Sequence, residues 1–362
     1  LELKGSASKS GSKSGLLRRI LVAVQFFIAI FMIIGTMVVS AQLNFLRSKD
    51  LGFNKQDLVF MEILDQEFLQ KLPSFKEELL QNSDVLEVSN STGIPGFMTW
   101  IQTMRIEQPT GMEERAIMLV QADYDYADML QLQFVQGRNF DLNMGTDALE
   151  AVIINQTAAD EFGWGNDALG KKIHFGFAQD GSGGRMMKVI GIVKDFHFKS
   201  LHNAIEPMVF FIQEKPSFIL TCRVNPGTMD RTIRFIESKW NAFGVKRSFN
   251  YKLVSDSMDE MYIAESKISV LIRLAAIITI FLALLGLLGL SSFIAEQKTK
   301  EVGLRKVHGA TITDILLLLY KDFAQLILIA FIIAVPVTWW RLNIWLESNF
   351  VYFQEPKWFT FL

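Results

Sequence analysis

Three long apolar runs constrain this chain more than any other feature. Residues 20–39, 274–293 and 323–340 carry no charged side chain and are 20, 20 and 18 residues long. At about 1.5 Å of rise per residue, a helix of such length spans roughly the 30 Å hydrocarbon interior of a bilayer. Lipid offers no hydrogen-bond partners, so each run has to satisfy its own backbone and is predicted to be a membrane-spanning helix. The first run follows Lys4, Lys9, Lys13, Arg18 and Arg19, with Glu2 as the lone acid. A secretory leader also begins this way, but the apolar run exceeds the usual leader core, and no small-residue cleavage site follows it. It is read as a helix entering from the cytoplasm.

Between the second and third runs lies a short charged connector, residues 296–311, with the sequence EQKTKEVGLRKVHGAT. Lys298, Lys300, Arg305, Lys306 and His308 outweigh Glu296 and Glu301. Short loops rich in Lys and Arg stay in the cytoplasm, which places this connector inside and the long region between the first two runs outside. The same composition would serve a connector whose charges do nothing but orient the helices.

The order Lys-Glu-Val-Gly-Leu-Arg-Lys over residues 300–306, followed by Gly309, Ala310, Thr311 and an apolar helix, resembles the cytoplasmic segment of the FtsX-like permease domain. That domain belongs to ABC transporters related to MacB, LolC/LolE and FtsX. The resemblance covers the first span, the external region weakly, and residues 257–345 strongly. It implies a bacterial inner-membrane, multi-pass permease that works with a separate cytoplasmic ATPase subunit as a dimer or pseudo-dimer, with a periplasmic adaptor as a further partner. It implies that Glu301, Arg305 and Lys306 supply charge at the ATPase contact, with Gly303, Gly309 and Ala310 allowing close approach. It also implies mechanotransmission, in which ATP-driven dimerisation of the ATPase moves stalk helices and reshapes the external domain to export peptides, drugs or lipoproteins.

Composition agrees with a mixed protein. Half of the 362 residues are hydrophobic and 20% are charged, too apolar for a soluble chain and too charged for a bundle lying wholly in lipid. A net charge of −2 carries no basic excess of the kind nucleic-acid binders show. The single cysteine, Cys222, excludes an internal disulfide and is read as a small apolar strand residue.

In chain order, the expected parts are a basic cytoplasmic segment (1–19), a first transmembrane helix (20–43) and an external MacB-like α+β domain (44–256). A stalk with the second transmembrane helix (257–293), a coupling loop (294–311), an interfacial amphipathic helix (312–322), a third transmembrane helix (323–340) and an external loop (341–362) follow. The stretch Leu3-Lys4-Gly5, the missing initiator Met and the absence of a fourth span resemble the second half of an eight-span permease. The fold class is therefore membrane α-helical plus an extracytoplasmic α+β domain, of the MacB/FtsX type with stalk helices.

Within the external region, strands are predicted at 58–64, 85–89, 151–155, 173–177, 186–193, 208–213, 218–224 and 248–254, with a hairpin over 99–107 and 116–121. Helices are predicted at 68–81, 124–132, 157–162 and 228–243, the last with Ile233, Ile236 and Trp240 on one face. The first membrane helix should run on to Lys49 and end near Gly52. Ser257 and Glu260 have capping-box spacing, and no proline interrupts residues 258–293, so one rod of about 54 Å is expected there. Inside it Ala276, Thr279, Ala283 and Gly286 recur at 3, 4 and 3 residues, a stripe of small groups where another helix can come close. Trp339, Trp340, Trp345, Tyr352 and Trp358 suggest a membrane boundary.

Three tempting sites argue for ordinary structure. Residues 165–172 miss a phosphate loop by one position, Lys172 standing where a Mg²⁺-binding hydroxyl is needed, and a strand rather than a helix follows. Asp195, His197 and His202 lack the further ligands a metal would require. Asn90 and Asn155 fit the glycosylation acceptor, a pattern idle in bacteria. Without a convergent nucleophile, acid or base, neither an enzymatic role nor a cofactor is expected. The alternative reading, a membrane-anchored sensor or a regulator of a cell-wall hydrolase, has to accommodate about 18 residues between the second and third spans, too few for a folded output domain.

Overall fold

The computed structural model describes residues 8–178, 182–212 and 215–355. Two compact units emerge: Lys49–Tyr262, and the residues up to Ser48 together with those from Ile263 onward. The second is built on α1 (Ser8–Ser48), and the first holds the strands found among the described residues.

Two β-α-β halves, far apart in sequence, build one layer of the folded domain. The first is β1 (Leu58–Glu62), α2 (Gln66–Leu80) and β2 (Val85–Ser91). Asp65 starts α2 by accepting the N–H groups of Glu67 and Phe68, and its apolar positions Phe68, Leu72, Phe75 and Leu79 repeat at helical spacing and are buried. The long excursion that follows contains β3 (Trp100–Gln108), β4 (Gly111–Ala122), α3 (Tyr126–Met129), β5 (Phe134–Gly137), α4 (Asp147–Glu150), β6 (Ala151–Asn155) and α5 (Gln156–Glu161). It continues with β7 (Lys172–Phe175), β8 (Arg185–Val193) and β9 (Met208–Ile212). The chain then returns for the second half, β10 (Ile219–Val224), α6 (Met229–Ala242) and β11 (Lys252–Leu253). Strand order is β11-β1-β10-β2, with every neighbouring pair antiparallel, the pattern of a split β-α-β fold. Phe68, Phe75, Ile236 and Trp240 fill the space over Val59, Met61, Leu220, Cys222 and Val224.

The excursion closes on itself. β4 pairs with β3, β3 with β7, β7 with β8, β8 with β6, β6 with β9, and β9 back with β4. Six strands in a ring leave no edge along that circuit and enclose a narrow interior that side chains fill. Met104, Ile106, Ile117, Leu119, Val152, Ile154, Ile173, Met187, Val189, Val209 and Phe211, alternating along their strands, form that core. The ring meets the layer through one pair, Ser91 with Ala122.

From β11 the chain enters α7 (Val254–Glu260), turns at Met261 and Tyr262, and starts α8 (Ile263–Gln297), which is followed by α9 (Thr299–Val307) and α10 (Ile312–Asn349). Among the described residues, three helices are long and apolar enough to cross a membrane: Leu16–Ser48, Ile263–Gln297 and Phe323–Asn349. α1 packs along both α8 and α10. Gln42, buried near the end of α1, donates to the Tyr352 carbonyl and accepts the Gln354 N–H at 3.0 Å, which fixes the chain after α10.

Several expectations change. The rod expected over 258–293 is broken at Met261–Tyr262, because Tyr262 is buried in the folded domain and its hydroxyl accepts the Leu201 N–H at 2.8 Å. Ser257 is no cap: it sits inside α7, whose N-cap is Leu253. Gly52 does not cap α1, which ends at Ser48; its φ of +81° serves a turn four residues on. The separate interfacial and spanning helices over 312–322 and 323–340 are one continuous helix to Asn349. Residues 248–251 leave the sheet, so the closing strand shrinks to Lys252–Leu253, and β5 is a strand that alternation did not single out. The helix expected over 124–132 is four residues long. Parts of the glycine-rich turn near 181, the strand end at Gln213, and Trp358 lie outside the described residues.

Candidate functional site

The charged connector is a helix. α8 passes into α9 through Lys298 alone, whose N–H donates to the Ile294 carbonyl at 2.9 Å, while the Thr299 hydroxyl donates back to Ala295 at 2.9 Å. On α9, Arg305 donates to the Glu301 carboxylate at 3.0 Å, four residues apart and both about half exposed, a pair worth about 0.3–0.5 kcal/mol. Gly309 closes the helix in the left-handed region at φ +88°. Its N–H reaches the Lys306 carbonyl at 3.2 Å and the Ala310 N–H reaches Arg305 at 3.0 Å, the paired bonds of a glycine-terminated helix. Gly309 and Ala310 thus have a structural duty of their own, whereas a Cβ on Gly303 would meet open space.

Charge is only part of this surface. α9 has no buried residue, and Leu304 and Val307, three apart on one side, are 64% and 85% exposed. Lys306 and Arg305 flank them. A short helix showing apolar and cationic groups together is suited to lie in a partner's groove. The positive-inside argument weighs charges and so does not single out Leu304 and Val307; their three-residue spacing within a charged run is the available signal.

The small-residue stripe lies at a helix contact. Ala276 and Ala283 are buried, Thr279 turns its hydroxyl to the Ala275 carbonyl at 2.5 Å, and a Cβ on Gly286 would overlap the Gln25 side chain of α1. The stripe continues through Leu290 and Ile294, which pack with Val22 and Phe323. A second stripe, Ala330, Ala334 and Thr338, is buried on α10 at four-residue spacing.

In the folded domain, residues 195–202 bind together the two points where the chain leaves for the membrane helices. On the α1 side, the His197 N–H donates to Leu51 at 2.8 Å, Phe196 meets Phe53 edge to face at 6.1 Å, and a Cβ on Gly52 would come within 2.6 Å of the Asp195 carbonyl. On the α8 side, Leu201 N–H donates to the Tyr262 hydroxyl and the His202 ring lies 6.0 Å from Tyr262. Asp195 also accepts the N–H and hydroxyl of Thr157 at 2.9 and 2.8 Å, at the start of α5. Burial, reinforced by Lys49, pushes the His197 imidazole down to about 4, so it is neutral near pH 7.

Asp195, His197 and His202 are committed to these duties, and among the described residues no group of three His, Cys, Asp or Glu is placed to hold a metal. Residues 165–170 form a short 3-10 turn and a glycine bend leading into β7. Asn90 and Asn155 spend their amides on backbone: Asn90 on Ser217 and Ile219, Asn155 on Glu206, Ala158 and Met208. Cys222 is fully buried in β10, and burial lifts its thiol to about 12.

Comparison with protein families matches residues 20–225 to the MacB-like periplasmic core domain and residues 273–362 to the FtsX-like permease C-terminal region. A search of curated proteins found no match. Among solved structures, the periplasmic region of MacB from Actinobacillus actinomycetemcomitans is 12% identical at a TM-score of 0.42, covering 59% of this chain and 96% of that one. The extracellular domain of the noncanonic ABC-type transporter YknZ from Gram-positive bacteria is 16% identical at 0.37, covering 54% and 98%. A permease domain from Porphyromonas gingivalis is 14% identical at 0.35, covering 55% and 93%.

Proposed function

Because the chain belongs to the family of MacB-like periplasmic core domains joined to an FtsX-like permease region, an ABC transporter permease family, we propose that α9 is the element through which a cytoplasmic ATPase drives it. The observation that carries this reading is α9 itself: a helix between two membrane-length helices, buried nowhere, with Leu304 and Val307 uncovered beside Arg305 and Lys306. Leaving apolar side chains exposed next to a matched charge pattern is costly in isolation and favourable against a partner.

ATP-driven movement of that partner shifts α9 and, with it, the 35-residue α8, roughly 50 Å of continuous helix. Its outer end follows Tyr262, the residue that segment 195–202 grips. That segment also holds Leu51 and Phe53, so displacement of either membrane helix is delivered to one rigid strap of the folded domain. The cargo class is that implied by the family resemblance, peptides, drugs or lipoproteins, and the working unit is a dimer or pseudo-dimer in the bacterial inner membrane.

The test is co-purification from native membranes in mild detergent, comparing the native chain with Glu301→Lys plus Arg305→Glu. Exchange of the two charges preserves a pair at the same spacing, and its reversed order costs α9 only about 0.5 kcal/mol while the sign presented at both positions inverts. An ATPase subunit recovered with the native chain and lost from the exchanged one supports the reading. An ATPase recovered equally with both removes α9 charge from the contact, and Leu304→Asp then asks the same of the apolar stripe.

A further inference from the structure

The split β-α-β layer has a gap in it. A full fourth strand would cover β1 from end to end, yet β11 pairs with it only at Val59–Leu253 and Phe60–Lys252. Beyond that point the two chains part. A groove of about 730 Å³ opens between the end of β1, at Met61, Glu62 and Leu64, and residues 246–252.

Both walls are firm. β1 is held from the other side by β10 along its length, and Ile63 N–H donates to Phe218 at 2.6 Å. Backbone direction alternates along a strand, so Glu62, one residue from Ile63, turns its N–H and carbonyl toward the groove. The opposite wall is pinned by Trp240, whose indole donates to the Arg247 carbonyl at 2.9 Å and whose ring meets Phe249 edge to face at 5.7 Å. The gap is therefore built into the fold, and it exposes strand edge that proteins otherwise cover.

Its lining selects by charge. Lys246, Arg247 and Lys252 face Glu62 alone among acidic lining residues. Lys246 and Lys252 are also ion-paired, with Glu67 at 3.2 Å and Glu260 at 3.0 Å, whereas Arg247 makes no ion pair among the described residues. Leu64 and Tyr251, both nearly half exposed, add apolar surface at the mouth.

We infer that this groove receives an extended, acidic segment of a partner protein, which adds a short strand to the free end of β1 while its carboxylates meet Arg247 and the two lysines. Main-chain bonds supply affinity that is indifferent to sequence, and the cations and apolar mouth select alternating acidic and apolar side chains. This inference stands apart from the ATPase reading, since every residue it uses lies in Lys49–Tyr262.

Fluorescence anisotropy on the full chain in nanodiscs tests it, with a fluorescein-labelled eight-residue peptide of alternating Glu and Val as probe. Binding of this probe, at least tenfold tighter than its Lys-Val counterpart and weakened at least tenfold by Lys246→Glu plus Arg247→Glu, is the expected result. Both positions are exposed, so the thermal midpoint of the variant should match that of the native chain. A Glu-Val peptide N-methylated at every residue, which blocks both of its edges, should lose binding. Equal affinity for the two charge classes, or an unchanged affinity in the variant, overturns the site; tight binding of the methylated peptide overturns strand addition.

Discussion

Leucine and isoleucine have opposite meanings in the two units. In Lys49–Tyr262 they lie inside: Leu79, Ile106, Ile117 and Ile154 are inaccessible, surrounded by aromatic rings and strand faces. On α8, Ile277, Leu284 and Leu288 are more than half exposed, while Ala276 and Ala283 are buried at the membrane-depth contact and Leu290 and Ile294 only towards its inner end. Water expels large apolar groups, so the domain places them in its core. Lipid does not, so helices there gain by close approach, and the small residues take the contact.

Truncation of a large side chain should separate the units most sharply. Phe75→Ala, which empties a site bounded by Phe68, Trp240 and Phe243, should cost about 3–5 kcal/mol by denaturant unfolding of the detergent-solubilised protein. Leu284→Ala on α8 should cost less than about 1 kcal/mol, its side chain facing outward. Equal losses would break the comparison.

Next in size is an effect confined to the domain. The His197 imidazole is held at about 4 against an ordinary 6.5, so the fold favours its neutral form. The stability this contributes is complete above pH 6.5 and is lost as pH falls from 6.5 toward 4, an amount of about 3 kcal/mol. His197→Gln should flatten thermal midpoints over that window; an unchanged slope would assign the acid sensitivity to other groups.

The small-residue stripe can be probed with a matched pair. Gly286→Ile, forced against Gln25, should destabilise the α1–α8 contact by about 1–3 kcal/mol, read as a lower thermal midpoint in detergent. Gly289→Ile, with open space at its Cβ, should leave that midpoint within a degree or so of native.

Smallest are the effects on α9, where nothing is buried. Gly309→Ala places a Cβ at φ +88° and should weaken the last turn by about 1–2 kcal/mol, seen as faster amide exchange of residues 304–307 with no change in global unfolding. A double-mutant cycle on Glu301 and Arg305 should return no more than about 0.5 kcal/mol. A larger coupling that appears only when an ATPase is bound would sharpen the case that this pair serves a contact.

Legibility followed the reach of the interactions. Residues 151–155 and the hairpin around residue 110 show themselves through local alternation and turn glycines, and the structure has β6 over 151–155 and β3–β4 folding back at Gln108–Gly111. The stripe at 276–286 was visible as a spacing, and its neighbour on α10, Ala330, Ala334 and Thr338, obeyed the same rule without being noticed. Capping chemistry misled at Ser257, because the break that matters is fixed by Tyr262 and a backbone group 61 residues away. The strand expected over 248–254 survives only at Lys252–Leu253 for a similar reason: Trp240 and Phe249 draw residues 248–251 toward the aromatic core and off the sheet.

The sequence by itself determined the membrane helices, the sidedness expected of their connector and the alternation of most strands, since each depends on hydropathy and period over a few neighbouring residues. Tertiary structure decided that β3, β4, β6, β7, β8 and β9 close into a ring, that segment 195–202 grips both exits of the domain, and that β1 is left partly uncovered. Those outcomes rest on pairings between residues as distant as Met118 and Met208, or Phe60 and Lys252. No local pattern encodes them, because each is selected by which long-range contacts bury the most apolar surface once the elements already exist.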